Sequence, residues 1–268
     1  GFYVLTVLGT FQRSCLSRLL HFPYPYGCKR LTADCPLQKF LEIHVCLPVP
    51  WSYRFLLPQS RDGLRKEGWS IRPQISTFDL EGKTLGVLGM GRIGTAVARK
   101  ASYGFGMKVL GYRRNLPGDI CADYGILTSD LDKVIRNSDF LSIHLPYTKD
   151  TFHLVSREKL ELMKPDAYLL NLGRGEVVDQ AALRELLLSN RLAGAALDVF
   201  EGEIPDADDP LLHMDQVIAT PHIAGLSKQA MERLSYQAAL GITEVLEGRK
   251  VTYPVNHPEK YASDVSVA

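Results

Sequence analysis

An arginine, a glutamate and a histidine in the second half of the sequence have side chains that can bind anions and move protons. Arg174, Glu203 and His222 each follow a short apolar run. A guanidinium can bind a carboxylate through two hydrogen bonds, and a histidine can exchange a proton close to neutral pH. Taken singly, each also has an ordinary structural explanation, as a surface arginine, a solvated loop glutamate or a satisfied histidine. Their shared placement after apolar runs favours one common site.

A common site requires that the apolar runs lie side by side as strands. From Phe78 onward, short β-rich runs alternate with helical stretches, and the runs mostly lack polar alternation. This pattern predicts an α/β fold, a doubly wound parallel sheet of the Rossmann type with strands covered on both faces. The predicted strands are Thr84–Leu88, Met107–Gly111, Asp139–His144, Ala167–Leu172, Gly194–Val199 and Val217–Thr220. The predicted helices are Ile93–Tyr103, Asp130–Asn137, Ser156–Met163, Gln180–Asn190 and Lys228–Glu247, with Ser156 and Asp179 as N-caps.

In such a sheet, ligands bind in the crevice beyond the carboxyl ends of the strands. The three candidate residues each come at or just after a predicted strand. The topology therefore allows Arg174, Glu203 and His222 to converge although they are distant in sequence.

A glycine pattern follows the first predicted strand. The segment Gly89-Met90-Gly91-Arg92-Ile93-Gly94 fits G-x-G-x-x-G and precedes a predicted helix. Gly89 permits the tight turn, Gly91 lets the backbone approach a pyrophosphate, and Gly94 lets helix and strand pack closely. The helix N-terminus then attracts the anion. The alternative is a close-packed turn without a ligand, but the placement between strand and helix favours a dinucleotide.

The end of the second predicted strand indicates which dinucleotide binds. A site for NAD usually has an acid there that accepts hydrogen bonds from the ribose. This sequence reads Leu110-Gly111-Tyr112-Arg113-Arg114 and offers no acid. Because Arg113 and Arg114 suit a 2′-phosphate, NADP(H) is favoured over NAD(H), although two solvated loop arginines are the alternative.

From about Gln59 to Pro254, the sequence resembles the D-isomer-specific 2-hydroxyacid dehydrogenases. The motifs that carry the resemblance are Gly89–Gly94, His144–Thr151, Asn171–Asp179, Asp198–Glu203 and His222. The resemblance implies that Arg174 binds the carboxylate and carbonyl of the substrate. It implies that His222 is the acid–base residue and Glu203 its partner. Reduction of a 2-oxo acid needs such a proton donor, because hydride transfer to the carbonyl carbon leaves negative charge on the oxygen.

The resemblance also implies residues on the cofactor side. Asp198 matches the acid beside the nicotinamide, and Leu172 and Gly173 match backbone contacts to the cofactor. His144 is interpreted as positioning the cofactor-side loop rather than as catalytic. The remaining residues assigned to cofactor binding are Leu145, Pro146, Ala224 and Gly225.

Composition sets limits on partners. The formal net charge is +1, so no overall basic field favours nucleic acid or anionic lipid. No stretch reaches the roughly 18 apolar residues that a membrane span needs. We therefore expect a soluble cytoplasmic protein, with its five cysteines reduced. We expect no metal site, since the acids Asp206, Asp208 and Asp209 are better explained as a solvated loop. The family resemblance implies a homodimer.

The resemblance predicts one cofactor domain with an incomplete or atypical substrate domain. Residues 78–225 form the predicted dinucleotide-binding domain, and residues 226–268 a helix and tail that return to the substrate domain. Residues 1–77 are an atypical, truncated substrate-domain region. We identify no glycine-rich substrate loop there, and no helix of the family's kind leading into Gln59–Trp69.

Several functions remain compatible with the sequence. The leading one is an NADP(H)-dependent reductase of small 2-oxo acids such as glyoxylate or hydroxypyruvate. A NAD-dependent dehydrogenase of 3-phosphoglycerate or another D-2-hydroxy acid is the alternative within the same chemistry. Outside it are a cofactor-sensing module that resembles a transcriptional corepressor, and an inactive fragment that still binds cofactor.

Residues 1–58 do not match the family. They contain four of the five cysteines and six of the fifteen prolines but only two acids. Our hypothesis is that this stretch is read out of frame or from unspliced sequence. The coding DNA should then contain a glycine-rich substrate loop in another frame upstream of Gln59, and two other frames without one would contradict the hypothesis.

Overall fold

The described part of the chain is built on a seven-stranded parallel sheet. The structure, a computed structural model, describes residues 57–75, 77–114 and 126–253. The strands are β1 (Thr84–Leu88), β2 (Lys108–Tyr112), β3 (Leu127–Thr128), β4 (Phe140–Ile143), β5 (Tyr168–Asn171), β6 (Gly194–Leu197) and β7 (Val217–Ala219). Their order across the sheet is β3-β2-β1-β4-β5-β6-β7. The doubly wound parallel sheet that the alternating pattern predicts is therefore confirmed.

The described helices include one between each pair of successive strands, as parallel neighbours require, except between β2 and β3, where residues 115–125 lie outside the described residues. They are α1 (Leu57–Glu67), α2 (Arg92–Phe105), α3 (Leu131–Asn137), α4 (Arg157–Glu161), α5 (Gln180–Leu188), α6 (Pro210–His213) and α7 (Lys228–Leu246). Two 3₁₀ segments, Gly68–Gln74 and Gly175–Val177, complete the elements. In the described ranges, no helix is both long and apolar enough to cross a membrane.

The strand order reverses beside β1. From β1 the chain moves outward to β2 and β3, then crosses to β4 on the other side of β1. Leu88, the last residue of β1, pairs with Tyr112 of β2 and with Ile143 of β4. The turn after β1 is therefore flanked by the loops that follow β2 and β4. This reversal is the place where doubly wound sheets bind their ligands.

The sheet has a hydrophobic core on each side. Neighbouring residues of β1 belong to different clusters, Leu88 to one and Val87 to the other, and both are fully buried. Successive side chains of a strand point to opposite faces, so the two clusters cover opposite faces of the sheet. All four residues of β4 are buried as well. Burial on both faces explains why the sequence of these strands lacks polar alternation.

The six predicted strands all exist, with ends that differ by at most two residues. The sequence did not predict β3 or α6, which have two and four residues and carry no usable periodicity. It also did not predict α1, the helix Leu57–Glu67, which forms most of the family-like segment Gln59–Trp69 itself. Residues 1–56 and the segment 115–125 lie outside the described residues. The division into domains stays a prediction.

The predicted N-caps behave differently from each other. Asp179 begins α5, and its Oδ1 accepts a hydrogen bond from the backbone N–H of Ala182 at 2.9 Å. Ser156 precedes α4, but its hydroxyl donates to Oε2 of Glu158 at 2.5 Å instead of capping the backbone. Both residues occupy the predicted N-cap positions, but only Asp179 caps the backbone with its side chain, because the Ser156 hydroxyl donates to the Glu158 carboxylate instead.

Glu244 is a buried carboxylate that holds the segment after α7 against the helix. It is 3% exposed. Its side chain accepts hydrogen bonds from the backbone N–H and the hydroxyl of Thr252, at 2.8 and 2.5 Å. Nη1 of Arg249 lies 3.6 Å from its Oε1. These contacts, with the Thr252 hydroxyl as the largest contribution, lower the pKa of Glu244 below its usual range.

We expect Glu244→Gln to lose stability in a pH-dependent way. Because the folded-state pKa is depressed, the ionised carboxylate stabilises the fold above the unfolded value of about 4.3. That stabilisation is lost as the pH falls through the lower folded-state pKa. Urea unfolding of the wild type and the variant should therefore differ most near neutral pH and converge in acid.

Glu232→Gln is the matched control, because Glu232 is an exposed glutamate on the same helix. Its unfolding curve should follow the wild type at every pH. A gap between wild type and Glu244→Gln that stayed constant from neutral pH into acid would contradict the assignment of the depressed pKa to these contacts.

Candidate active site

The turn after β1 has the geometry that its glycine pattern predicts. Gly89 has a φ of +103°, and a Cβ added there would lie 2.8 Å from the carbonyl oxygen of His144. A Cβ on Gly94 would lie 2.2 Å from the carbonyl oxygen of Gly89. Side chains at these two positions would collide with backbone, so the close approach of turn, helix and neighbouring loop depends on glycine.

The N-terminus of α2 is open to a ligand. Gly91 is its N-cap residue and supplies no side chain to the first turn, and a Cβ there would meet nothing within 4 Å. The unpaired N–H groups of a first helical turn, together with the helix dipole, favour an anion at this place. Arg92 is exposed beside the turn and Ile93 is partly buried. The turn therefore fits the pyrophosphate of a dinucleotide.

The two arginines after β2 differ in their contacts. Both are exposed. Nη1 of Arg114 donates to Oδ2 of Asp150, in the loop after β4, at 2.7 Å. Within the described ranges, Arg113 has no hydrogen-bond or ion-pair partner for its side chain. Sequence reasoning found no acid at the end of β2, and the structure brings one there from 36 residues further along the chain.

The loop after β4 begins at a partly buried histidine, His144. The Nε2 of His144 is hydrogen-bonded to the hydroxyl of Ser142 at 2.9 Å, and burial lowers the pKa of His144 to about 4. The ring is therefore neutral near pH 7, which agrees with a positioning role and not with proton transfer. Leu145 is partly buried and Pro146 is exposed at the rim of a cavity.

The turn after β5 presents Arg174. Asn171, the last residue of β5, uses both ends of its amide here: its Nδ2 donates to the carbonyl of Arg174 at 2.9 Å, and its Oδ1 accepts from the N–H of Gly173 at 3.1 Å. Leu172 and Gly173 are buried, whereas Arg174 is exposed. The guanidinium donates from Nη1 to the carbonyl of Gly173 at 2.7 Å, which leaves its other N–H groups for a ligand.

Gly175 lets this turn pack against the turn that leads to Glu203. A Cβ added at Gly175 would lie 2.0 Å from the carbonyl carbon and oxygen of Phe200. Only glycine permits the backbones of the two turns to approach so closely. The approach brings the Arg174 turn against the turn that leads to Glu203.

Asp198 organises the loop that contains His222. It is 3% exposed and follows β6 directly. Its Oδ1 accepts hydrogen bonds from the Thr220 hydroxyl at 2.6 Å and the Ile223 N–H at 2.9 Å, and its Oδ2 accepts one from the Ala224 N–H at 2.9 Å. The N–H of His222 donates to the Asp198 carbonyl at 2.9 Å. Ala224 is buried by this arrangement, and Gly225 after it is half-buried.

Two of the candidate residues have strained backbones. Glu203 has a φ of +66° and His222 a φ of +52°. Residues with a Cβ rarely adopt this left-handed conformation, and it persists only where the surrounding structure enforces it. In the described ranges, only His153 and Asn190 share it among residues other than glycine. Strain of this kind concentrates at functional sites, which makes its occurrence at both residues informative.

The three candidate residues line one cavity. The cavity has a volume of about 340 Å³ and lies at the carboxyl edge of the sheet. Its walls include Pro146, Tyr147, Arg174, Phe200, Glu203 and His222. A neighbouring cavity of about 490 Å³ shares Glu203 and His222 and is also lined by Asp198. The convergence that the strand topology allows is thus present in the structure.

The cavity is open to solvent. Arg174, Glu203 and His222 are all exposed. Across the described part of the chain, no hydrogen bond joins Glu203 to His222. The three residues are grouped around the cavity, but their side chains do not form one hydrogen-bonded network. Catalytic hydrogen bonds are often long or absent without a bound ligand and tighten when the substrate complex forms.

Sequence reasoning missed several residues that shape this site. Thr220 and Asn171 fix the turns that carry His222 and Arg174. A further pair, outside the residues that line the two cavities, joins Nε2 of His153 to Oε1 of Glu201 at 2.9 Å, with the Phe152 ring stacked on the imidazole. An asparagine three residues before Arg174 is a signal that could have been used. The His153–Glu201 pair spans 48 residues and leaves no local pattern.

Among the described residues, no group of three or more histidine, cysteine or acidic side chains could hold a metal ion.

Comparison with known proteins places these features in a family. Residues 55–224 match the model for the NAD-binding domain of D-isomer-specific 2-hydroxyacid dehydrogenases. A glyoxylate reductase of Korarchaeum cryptofilum is 42% identical over 179 residues, which cover 67% of this chain and 53% of that protein. A D-3-phosphoglycerate dehydrogenase of Methanocaldococcus jannaschii is 38% identical over 203 residues, covering 75% of this chain and 38% of that one.

Solved structures agree with the sequence comparison. The NADPH-dependent glyoxylate/hydroxypyruvate reductase of Sinorhizobium meliloti, in complex with NADP and malonate, superposes with a TM-score of 0.72 at 29% identity. The match covers 82% of this chain and 68% of that chain.

The chain spans about half or less of the length of the curated relatives named above. The family model nevertheless covers most of the described sheet and every predicted site residue up to Ala224. The chain therefore belongs to the D-isomer-specific 2-hydroxyacid dehydrogenase family, through its NAD-binding domain.

Proposed function

We propose that this protein transfers a hydride between NADP(H) and a small 2-oxo or D-2-hydroxy acid. The observation that carries the proposal is the single cavity lined by Arg174, Glu203 and His222, at the sheet edge where a doubly wound fold binds its dinucleotide. Its volume of about 340 Å³ lies in the range of sites for small molecules. Its one cationic and two acid–base side chains suit a small anion that gains or loses a proton.

The turn Gly89–Gly94 would hold the pyrophosphate. Its open backbone at Gly91 and the uncapped N-terminus of α2 support this assignment. Arg113 and Arg114 would bind the 2′-phosphate of NADP(H). The bound cofactor supplies or accepts the hydride at its nicotinamide ring. On that side of the site, Asp198, Leu172 and Gly173 form the wall, and Leu145 and Pro146 form the loop facing it.

Arg174 would bind the carboxylate of the acid. The guanidinium keeps N–H groups free after its bond to Gly173, and a carboxylate can accept two of them in parallel. Binding through two hydrogen bonds fixes the orientation of the substrate as well as its position. The carbonyl carbon then faces the cofactor side of the cavity.

His222 would give the proton to the carbonyl oxygen in reduction and take it back in oxidation. An imidazole is suited to this exchange because it changes its protonation state near neutral pH. Glu203 would accept a hydrogen bond from the ring and hold its orientation. The left-handed backbones of both residues aim their side chains into the same cavity, which supports a joint role.

For the substrate we infer a short 2-oxo acid such as glyoxylate or hydroxypyruvate. Support comes from the glyoxylate reductase of Korarchaeum cryptofilum and the reductase structure of Sinorhizobium meliloti, both named for such substrates. The relative named for 3-phosphoglycerate keeps a NAD-dependent dehydrogenase as the alternative. We expect a homodimer in the cytoplasm, by analogy with the family.

A second candidate is a module that binds cofactor without turnover. The observation that favours it is the exposure of all three candidate side chains, because charges in open water interact weakly. In this case the dinucleotide still binds at the turn after β1, but substrate is not converted.

Oxidation of NADPH in the presence of glyoxylate or hydroxypyruvate distinguishes the two candidates. We expect steady turnover by the full chain, and His222→Ala should lower kcat/KM by about 10²- to 10⁴-fold because the proton donor is lost. His213→Ala is the control, because His213 is an exposed histidine outside both cavities. Binding of NADPH with no turnover by the wild type would instead favour the cofactor-binding module.

Replacement of both arginines after β2 tests the cofactor preference. We expect Arg113→Gln/Arg114→Gln to weaken NADPH binding by about tenfold or more, because charge-assisted hydrogen bonds to the 2′-phosphate are lost. NADH binding should change little. Calorimetric titration of both cofactors measures the effect, with the exposed Arg136→Gln on α3 as the control. A wild type that prefers NADH would remove the reductase assignment.

A further inference from the structure

The ion pair between Arg114 and Asp150 involves one of the two arginines proposed to bind the 2′-phosphate of the cofactor. Nη1 of Arg114 lies 2.7 Å from Oδ2 of Asp150. Arg114 belongs to the loop after β2 and Asp150 to the loop after β4. Since β1 lies between β2 and β4, the pair joins the two loops that flank the glycine turn.

The pair is solvent-exposed, with two-thirds of each side chain accessible. An exposed pair of this kind contributes little to stability and is easily exchanged for another partner. Its neighbours in sequence are cationic, with Arg113 on one side and Lys149 on the other. Of these three cations, Arg114 is the one whose side chain pairs with Asp150 in the described ranges.

We propose that Asp150 is a specificity-determining residue that competes with the 2′-phosphate of NADP(H) for Arg114. This inference rests on the proposed function, in which Arg114 binds that phosphate. When NADP(H) binds, the guanidinium exchanges the Asp150 carboxylate for the phosphate. When NAD(H) binds, no phosphate arrives and the ion pair stays closed.

The competition affects the binding of NADP(H) and not that of NAD(H). A phosphate group carries about −1.5 to −2 charges near neutral pH and offers three acceptor oxygens, so it outcompetes a single carboxylate. It must nevertheless displace that carboxylate and then lie close to it, and like charges repel. Asp150 therefore lowers the affinity for NADP(H) and leaves that for NAD(H) nearly unchanged. Removal of its charge should sharpen the preference for NADP(H).

Asp150→Asn tests the inference in the full-length chain. We expect calorimetric titration to give NADPH binding that is about threefold tighter than wild type, a gain in the range of an exposed ion pair. NADH binding should change by less than about 1.5-fold, because NADH has no 2′-phosphate that competes with residue 150 for Arg114. The gain should shrink at high salt, because exposed charges are screened.

Asp132→Asn is the matched control. Asp132 is a partly exposed aspartate that pairs with Lys159 and lies on α3. Its replacement changes the net charge equally without touching Arg114, so both cofactors should bind as in the wild type. In the Arg114→Gln background, Asp150→Asn should gain clearly less for NADPH, because the partner for which it competes is gone.

Two results would overturn the inference. Weaker NADPH binding in Asp150→Asn would mean that Asp150 holds Arg114 ready for the phosphate instead of competing with it. An equal gain for NADH and NADPH would mean a general charge effect. The proposed function fails separately: its NADP preference falls if Arg113→Gln/Arg114→Gln leaves the ratio of NADPH to NADH affinity unchanged, whatever Asp150→Asn does.

Discussion

The candidate site depends on the hydrogen bonds that the buried carboxylate of Asp198 accepts. A buried charge is costly unless hydrogen bonds replace its water, and here three donors do so. All three come from the segment between Thr220 and Ala224, so that segment cannot move away without leaving the carboxylate unpaired. His222 lies inside it with a left-handed backbone that local sequence does not favour. The requirement to satisfy Asp198 thus stabilises the strained conformation that exposes the His222 side chain to the cavity.

The parallel sheet brings the loop held by Asp198 together with the other loops of the candidate site. Every loop at the carboxyl edge belongs to the same side of the sheet, so residues separated by many positions become neighbours. The backbone approach between Gly175 and Phe200 sets how closely two of these loops lie. The register of β1 with β2 and β4 likewise fixes the two loops on either side of the glycine turn. The ends of the strands therefore position the candidate substrate and cofactor residues, which lie in the loops that follow.

The features that sequence could predict are those with a local physical signature. Gly89 and Gly94 were predicted because their spacing reports a turn in which a Cβ would collide with backbone. Strands buried on both faces were predicted from their apolar runs. By contrast, β3 has two residues and no period to detect. The contact of Arg114 with Asp150 depends on which loop follows which strand, and the three donors to Asp198 depend on the fold of a segment more than twenty residues away. Such pairings appear only once the chain is folded.

The exposure of the site to water limits how strongly its charged groups can interact with a substrate. At the separation of a few ångströms, two charges in bulk water interact by only about 1 kcal/mol, and the interaction grows severalfold where water is excluded. Arg174, Glu203 and His222 are all exposed to water. The described loops therefore order these groups without providing the dry environment in which they are most effective. Helix α7 also exposes apolar side chains to water, among them those of Met231, Leu234 and Ile242. The glycine turn and the N-terminus of α2, proposed to hold the pyrophosphate, are formed by described residues. Proton and hydride transfer gain from the exclusion of water, so cover over the carboxyl edge would favour turnover over binding alone.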